Sequence, residues 1–119
     1  MSLVNTFLAM AIDIETRRPK LSNVMGGLSG PAIRPIAVRM VYECHRTTRL
    51  PIIGMGGIAR AEDAIEFAVA GATAVQVGTA NFVDHFIWPK LRRGIEEYLS
   101  RHGLARWMDL VGTMETEGA

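Results

Sequence analysis

Two short apolar runs, each ending in small residues, constrain this chain more than anything else in it. The first is Leu50-Pro51-Ile52-Ile53, followed by Gly54-Met55-Gly56-Gly57; the second is Ala74-Val75-Gln76-Val77, followed by Gly78-Thr79-Ala80. Between them, Ala61 to Ala70 carries acids at Glu62 and Asp63 and meets Gly71, the pattern of a helix with an acidic first turn and a glycine stop. Strand, glycine turn, helix, strand, glycine turn is a βαβ unit, which makes the strands parallel and brings both turns to the same end. The first run does not alternate, which predicts a strand buried on both faces. Glycine leaves main-chain N–H groups open to a ligand, so two such turns side by side predict a cradle for an anion such as phosphate. Gly54 alone is read as a point of close strand-to-helix packing.

Upstream, Leu3-Val4-Asn5-Thr6 reads as the last residues of a strand, an apolar pair ending in two polar residues. Ala11-Ile12-Asp13-Ile14-Glu15-Thr16 alternates, Arg17-Arg18-Pro19 reads as a turn, and Lys20-Leu21-Ser22-Asn23 returns, which predicts a β-hairpin. Gly26-Gly27-Leu28-Ser29-Gly30 follows, and Pro31 opens a helix predicted to reach about Arg46. Ile33, Ile36, Ala37, Met40, Val41 and Cys44 form its apolar stripe, which makes Cys44 a core residue rather than a nucleophile. Beyond the second glycine turn, Asn81 to Trp88 reads as a linking segment before Pro89. Leu91, Ile95, Tyr98 and Leu99 mark an amphipathic helix ending at Gly103, and Trp107, Leu110 and Val111 mark a short one. Both tryptophans are read as packing residues.

Composition narrows the class. At 119 residues the chain is the size of one small domain, and a net charge of +1 gives no reason to expect nucleic acid. Of its basic residues only Lys20 and Lys90 are lysines; the arginines, notably Arg92, Arg93, Arg101 and Arg106, fall on predicted solvated helix faces. A single cysteine excludes an intrachain disulfide framework and suits a reducing cytoplasm. No apolar run is long enough to span a membrane, and the N-terminus lacks a signal-peptide pattern. His45, His85 and His102 have no metal-ligand spacing. Met1-Ser2-Leu3 and Glu117-Gly118-Ala119 are read as expression-vector residues.

Taken together, Val4-Asn5-Thr6, the Ala11-Ile12-Asp13 segment, Gly26 through Ile33, Pro51 through Gly57, and Gly71-Ala72 leading to Gly78-Thr79-Ala80-Asn81-Phe82 resemble the C-terminal part of the dihydroorotate dehydrogenase family, flavoproteins of pyrimidine biosynthesis. Within it the chain is most similar to the class 1B catalytic subunit. The resemblance implies an α/β fold, the C-terminal part of a TIM (β/α)8 barrel from the end of strand six through strand eight and the C-terminal helices. Residues 1–119 would then be one partial domain, with the phosphate turns at the barrel's C-terminal face. It implies FMN as cofactor: Val4 and Gly30 place backbone against the flavin, while Gly56, Gly57, Gly78 and Thr79 hold its phosphate. Asn5 and Thr6 match the pair that hydrogen-bonds dihydroorotate or orotate. FAD and a 2Fe-2S cluster are implied on a partner subunit, not on this chain.

The resemblance also implies what this chain does not supply. The family's general base is a cysteine near strand four, and a strand-five lysine faces the flavin; Cys44, Lys20 and Lys90 match neither position. The isolated chain is therefore predicted not to oxidise dihydroorotate. His85 follows Asp84 where the family usually has proline, a departure predicted to loosen the start of the long helix. Three barrel strands would expose two sheet edges and an inner face, which predicts either a homo-oligomer or a piece of a longer protein. Two other readings are another phosphate-binding TIM-barrel enzyme and a non-catalytic half-barrel that acts as a binding or assembly module.

Overall fold

Three parallel strands carry the two glycine turns. In the computed structural model, which describes residues 1–116, they are β1 (Ser2–Leu3), β6 (Ile53–Met55) and β7 (Ala74–Gln76), in the order β1-β6-β7. Ser2 and Leu3 align with Ile53 and Gly54, and Ile53, Gly54 and Met55 with Ala74, Val75 and Gln76. The helices α1 (Arg34–Thr47), α2 (Ala61–Ala70) and α4 (Ile87–Arg101) accompany the sheet, and α2 packs against both α1 and α4. The core gathers Ile33, Ala37 and Val41 of the first helical segment, Ile52, Phe67, Ala72, Ile87 and Leu91. Phe67 is fully buried, and Gly54 makes room for it: a Cβ there would lie 2.5 Å from the Phe67 ring and 3.0 Å from Ala72 Cβ. Close strand-to-helix packing at Gly54 is what the sequence predicted.

The first predicted strand is corrected in two ways. Pairing begins at Ile53 and includes Gly54 and Met55, so the turn proper starts at Gly56. Pro51 has no N–H for the ladder; it only accepts, from the N-terminal ammonium at 2.7 Å. Nor is the strand buried on both faces. Ile52 and Gly54 are buried, but Ile53 is 40% exposed, and Ala74 and Gln76 beside it on the same sheet are also exposed. The helices cover one face only. β7 ends at Gln76, opposite the last residue of β6, and just beyond it the Asn81 side-chain amide donates to the Val77 carbonyl at 2.6 Å.

The excursion after β1 holds two antiparallel pairs where one hairpin was predicted. β2 (Phe7–Ala9) pairs with β5 (Gly26–Leu28), so the first glycines of the Gly26–Gly30 stretch are strand. β3 (Ile12–Asp13) pairs with β4 (Arg18–Pro19), so Arg18 and Pro19 belong to the return strand and not to the turn. Asp13 turns the chain earlier: its Oδ1 accepts the N–H groups of Glu15 and Thr16 at 2.9 and 3.1 Å.

The first helix forms as one 3-10 turn, Pro31–Ile33, continued by α1 to Thr47. Met40 and Cys44 pack against the core, but Ile36 lies at the edge of the stripe and is 44% exposed. Gly71 ends α2 at φ 123° as predicted. The segment after β7 contains a short helix, α3 (Ala80–Val83), and α4 starts at Ile87, ahead of Pro89. A proline in the first turn loses nothing, because its N–H would have had no intrahelical partner. Asp84 sits at that start, accepting the Phe86 N–H at 2.9 Å and pairing with Lys90. A 3-10 turn at Trp107–Leu110 closes over α2, and the Trp107 indole donates to the Thr73 carbonyl at 2.8 Å. Trp88, by contrast, is 47% exposed and is not a core residue. No helix among the described residues is long and apolar enough to cross a membrane. Residues 117–119, read above as vector-derived, lie outside the described residues.

Candidate functional site

Beyond the C-terminal ends of the three strands, four loop segments meet. These are Val4–Thr6 after β1, Ser29-Gly30 after β5, Gly56–Arg60 after β6 and Gly78-Thr79 after β7. Val4–Thr6, Ser29-Gly30, Gly56-Gly57 and Gly78-Thr79 line a cavity of about 180 Å³. All eight residues singled out from the sequence face it: Val4, Asn5, Thr6, Gly30, Gly56, Gly57, Gly78 and Thr79. A second cavity of about 320 Å³ shares Gly30, Gly57, Gly78 and Thr79 and runs on toward Ala80, Asp84 and Ile87, so the two form one continuous cleft.

The glycines in this cleft serve different ends. A Cβ at Gly30 or Gly78 would meet open space, with nothing within 4 Å; Gly30, at φ 82°, has a backbone conformation that itself favours glycine, and Gly78 does not. Gly57 is needed by the chain. It has φ 75°, and a Cβ there would lie 2.7 Å from the Gly30 carbonyl oxygen and 2.8 Å from Arg34 Cβ. The Gly57 turn therefore sits directly on the loop that carries Gly30 and on the first residue of α1.

Side chains fix these loops. Thr79 Oγ1 donates to Ser29 Oγ at 2.8 Å, joining two loops fifty residues apart. Asn81 Nδ2 donates to the Val77 and Gly78 carbonyls at 2.6 and 3.2 Å, which leaves the Gly78 turn little freedom. Val4 is buried and extends the ladder, its N–H donating to the Met55 carbonyl at 2.8 Å. Asn5 Oδ1 accepts the N–H of the next residue, Thr6, at 2.8 Å; this is neither a helix cap nor an Asx turn, and strand β2 follows. On the 320 Å³ side, the Lys90 ammonium and the Phe86 N–H hold the Asp84 carboxyl below the usual carboxylate range.

One buried charge supports the cradle from behind. Asp63 is 3% exposed, and its Oδ2 accepts the N–H groups of Ala59 and Arg60, both at 2.9 Å. Its Oδ1 meets Arg34 Nη1 at 2.8 Å. Asp63 is legible in sequence as a first-turn acid, but nothing local marks Arg34 as its partner. Ser29 and Gln76 also line the cavity and were not singled out. For Gln76 a signal existed: a polar side chain within an apolar strand run. Cys44, Lys20 and Lys90 line neither cavity.

The family model for dihydroorotate dehydrogenase matches residues 1–99. This chain belongs to the dihydroorotate dehydrogenase family. Among its curated relatives is one from Caldicellulosiruptor bescii, named the catalytic subunit of dihydroorotate dehydrogenase B (NAD(+)), which is 59% identical over 114 residues. That match takes in 96% of this chain and 38% of the relative. A protein of the same name from Porphyromonas gingivalis is 58% identical over 117 residues, or 98% of this chain and 38% of the relative. These names agree with the class 1B resemblance. The chain thus spans less than half the length of the curated relatives it matches. A crystal structure of DHODH from Eimeria tenella in complex with ferulenol superposes with a TM-score of 0.79 at 25% identity, over 94% of this chain and 30% of that one. The fold is accordingly a part of a TIM barrel, and β1, β6 and β7 follow the order predicted for strands six to eight.

Proposed function

We propose that the cleft binds FMN and a pyrimidine carboxylate, and that this chain supplies the phosphate- and substrate-binding part of a dihydroorotate dehydrogenase. The observation that carries this reading is the open space at Gly78, which lines both cavities and has neither a neighbour within 4 Å of a Cβ nor a left-handed backbone to require glycine. A glycine-rich wall of this kind suits a phosphate, which is recognised by backbone N–H groups at close approach. In this reading the turns at Gly56-Gly57 and Gly78-Thr79 hold the phosphate, and Val4 and Gly30 present backbone to the flavin. The Asn5 carboxamide can donate and accept against a pyrimidine edge, with the Thr6 hydroxyl beside it. FMN supplies the hydride acceptor for oxidation of dihydroorotate to orotate. The relatives' name, catalytic subunit, supports a separate electron-transfer partner, to which we assign FAD and the 2Fe-2S cluster.

Two results test this reading. Fluorescence titration of the chain is expected to show tighter binding of FMN than of riboflavin, which lacks only the phosphate. Equal affinity would remove the phosphate cradle. In a coupled assay with dihydroorotate and FMN, the chain as it stands is expected to show no turnover. Its one cysteine packs against the core on α1 and neither lysine lines the cleft, so neither a cysteine base nor a flavin-facing lysine is placed there. A positioned base is worth roughly 10²–10⁴-fold. Turnover above the free-FMN background would contradict the assignment of this chain to binding alone.

A further inference from the structure

We propose that Asp63 and Arg34 are positioning residues for phosphate recognition, acting as a strut that fixes the Gly56–Arg60 turn against the Gly30 loop. The inference rests on the FMN reading given above. Neither residue lines the cleft, so neither touches the ligand there. What they hold is the frame. One carboxylate oxygen of Asp63 takes the last two N–H groups of the turn, at Ala59 and Arg60. The other takes the guanidinium of Arg34, the first residue of α1, four residues after Gly30. The turn that carries Gly57 and the loop that carries Gly30 are thereby joined through a single buried anion.

The close approach of the two loops gives this strut its function. Gly57 stands so near the Gly30 carbonyl and Arg34 that not even a methyl group would fit between them. A shift of α1 by a fraction of an ångström would therefore move the two sides of the cradle relative to each other. The carboxylate is buried and the guanidinium three-quarters covered, so the contact is sheltered from the screening that weakens surface pairs. Glu66 is the second carboxylate on Arg34: its Oε2 lies 3.2 Å from Arg34 Nε, and Glu66 is half exposed where Asp63 is buried.

The test is the ratio of FMN to riboflavin affinity in Arg34→Gln and Asp63→Asn, with circular dichroism to establish folding. Both substitutions are expected to weaken FMN by roughly tenfold, within the range of residues that act on a ligand without touching it, and riboflavin by less than about twofold. Glu66→Gln is expected to keep the ratio. Charge alone gives a different pattern: removing the positive charge would weaken FMN, whereas removing the negative one would strengthen it. Opposite signs in the two variants, equal loss for both flavins, or an unchanged ratio in the folded variants would each overturn the strut and leave the FMN reading intact. Should either variant fail to fold, Arg34→Lys replaces it. That variant keeps the charge but loses the planar fork, so a lowered ratio supports the strut and a full ratio overturns it. No FMN preference in the unsubstituted chain would overturn the FMN reading itself and the strut with it.

Discussion

Replacing Gly57 with alanine is expected to cost the chain about 2–4 kcal/mol of stability and to push the Gly30 loop away from the Gly57 turn. Two causes act together. The residue has φ 75°, where an L side chain is strained, and the new methyl group would lie 2.7 Å from the Gly30 carbonyl oxygen, 2.8 Å from Arg34 Cβ and 3.1 Å from Arg34 N. Two of those three neighbours are main chain and cannot rotate away. Relief therefore requires the Gly30 loop and the start of α1 to move as a unit, against the hydrogen bonds and packing that hold them. Urea unfolding followed by circular dichroism measures the effect. A midpoint equal to that of the unsubstituted chain would show that the two loops are not in the contact described.

Gly78→Ala is expected to separate binding from stability. A Cβ at this position meets nothing within 4 Å, and the backbone conformation is not one that glycine alone adopts. The unfolding free energy should accordingly change by no more than about 0.5 kcal/mol, as at an ordinary exposed site. Gly78 does, however, line both cavities, so an added methyl group takes up open space at their wall. If a phosphate sits there against the Gly78 and Thr79 N–H groups, FMN affinity should fall by tenfold or more, on the order of 1.4 kcal/mol, while riboflavin changes less. The contrast between the two alanines is sharper than either alone: Gly57 is glycine because the chain requires it, Gly78 because a ligand would. Unchanged FMN affinity in a folded Gly78→Ala protein would remove this turn from the cradle.

The βαβ unit was legible because its signals are local. Glu62 and Asp63 in the first turn, Gly71 at the stop and apolar runs on either side define it within about thirty residues. Boundaries were less legible where a neighbour decides them. The ladder between β1 and β6 carries the strand on through Gly54 and Met55, and Asp13 turns the hairpin before the Arg-Arg-Pro sequence is reached. The exposed inner face of Ile53 could not be read from the run itself, because an apolar residue looks the same whether or not a partner layer covers it. In the cleft, the glycine turns were readable from composition and order, whereas Val4, Asn5 and Thr6 entered only through the family resemblance. The links that hold the loops, Thr79 to Ser29 and Arg34 to Asp63, join residues 50 and 29 positions apart and left no local mark. They are properties of the fold and become visible only when the loops are brought together.

The phosphate cradle is tested most directly by amide-resolved titration of isotope-labelled chain with FMN and, separately, with riboflavin. The expected result is a set of shifts concentrated at the N–H groups of Gly30, Gly57, Gly78 and Thr79, large with FMN and much smaller with riboflavin. Shifts of equal size with the two flavins, or shifts centred instead on the outer groove formed by Trp88, Arg92 and Arg93, would contradict it.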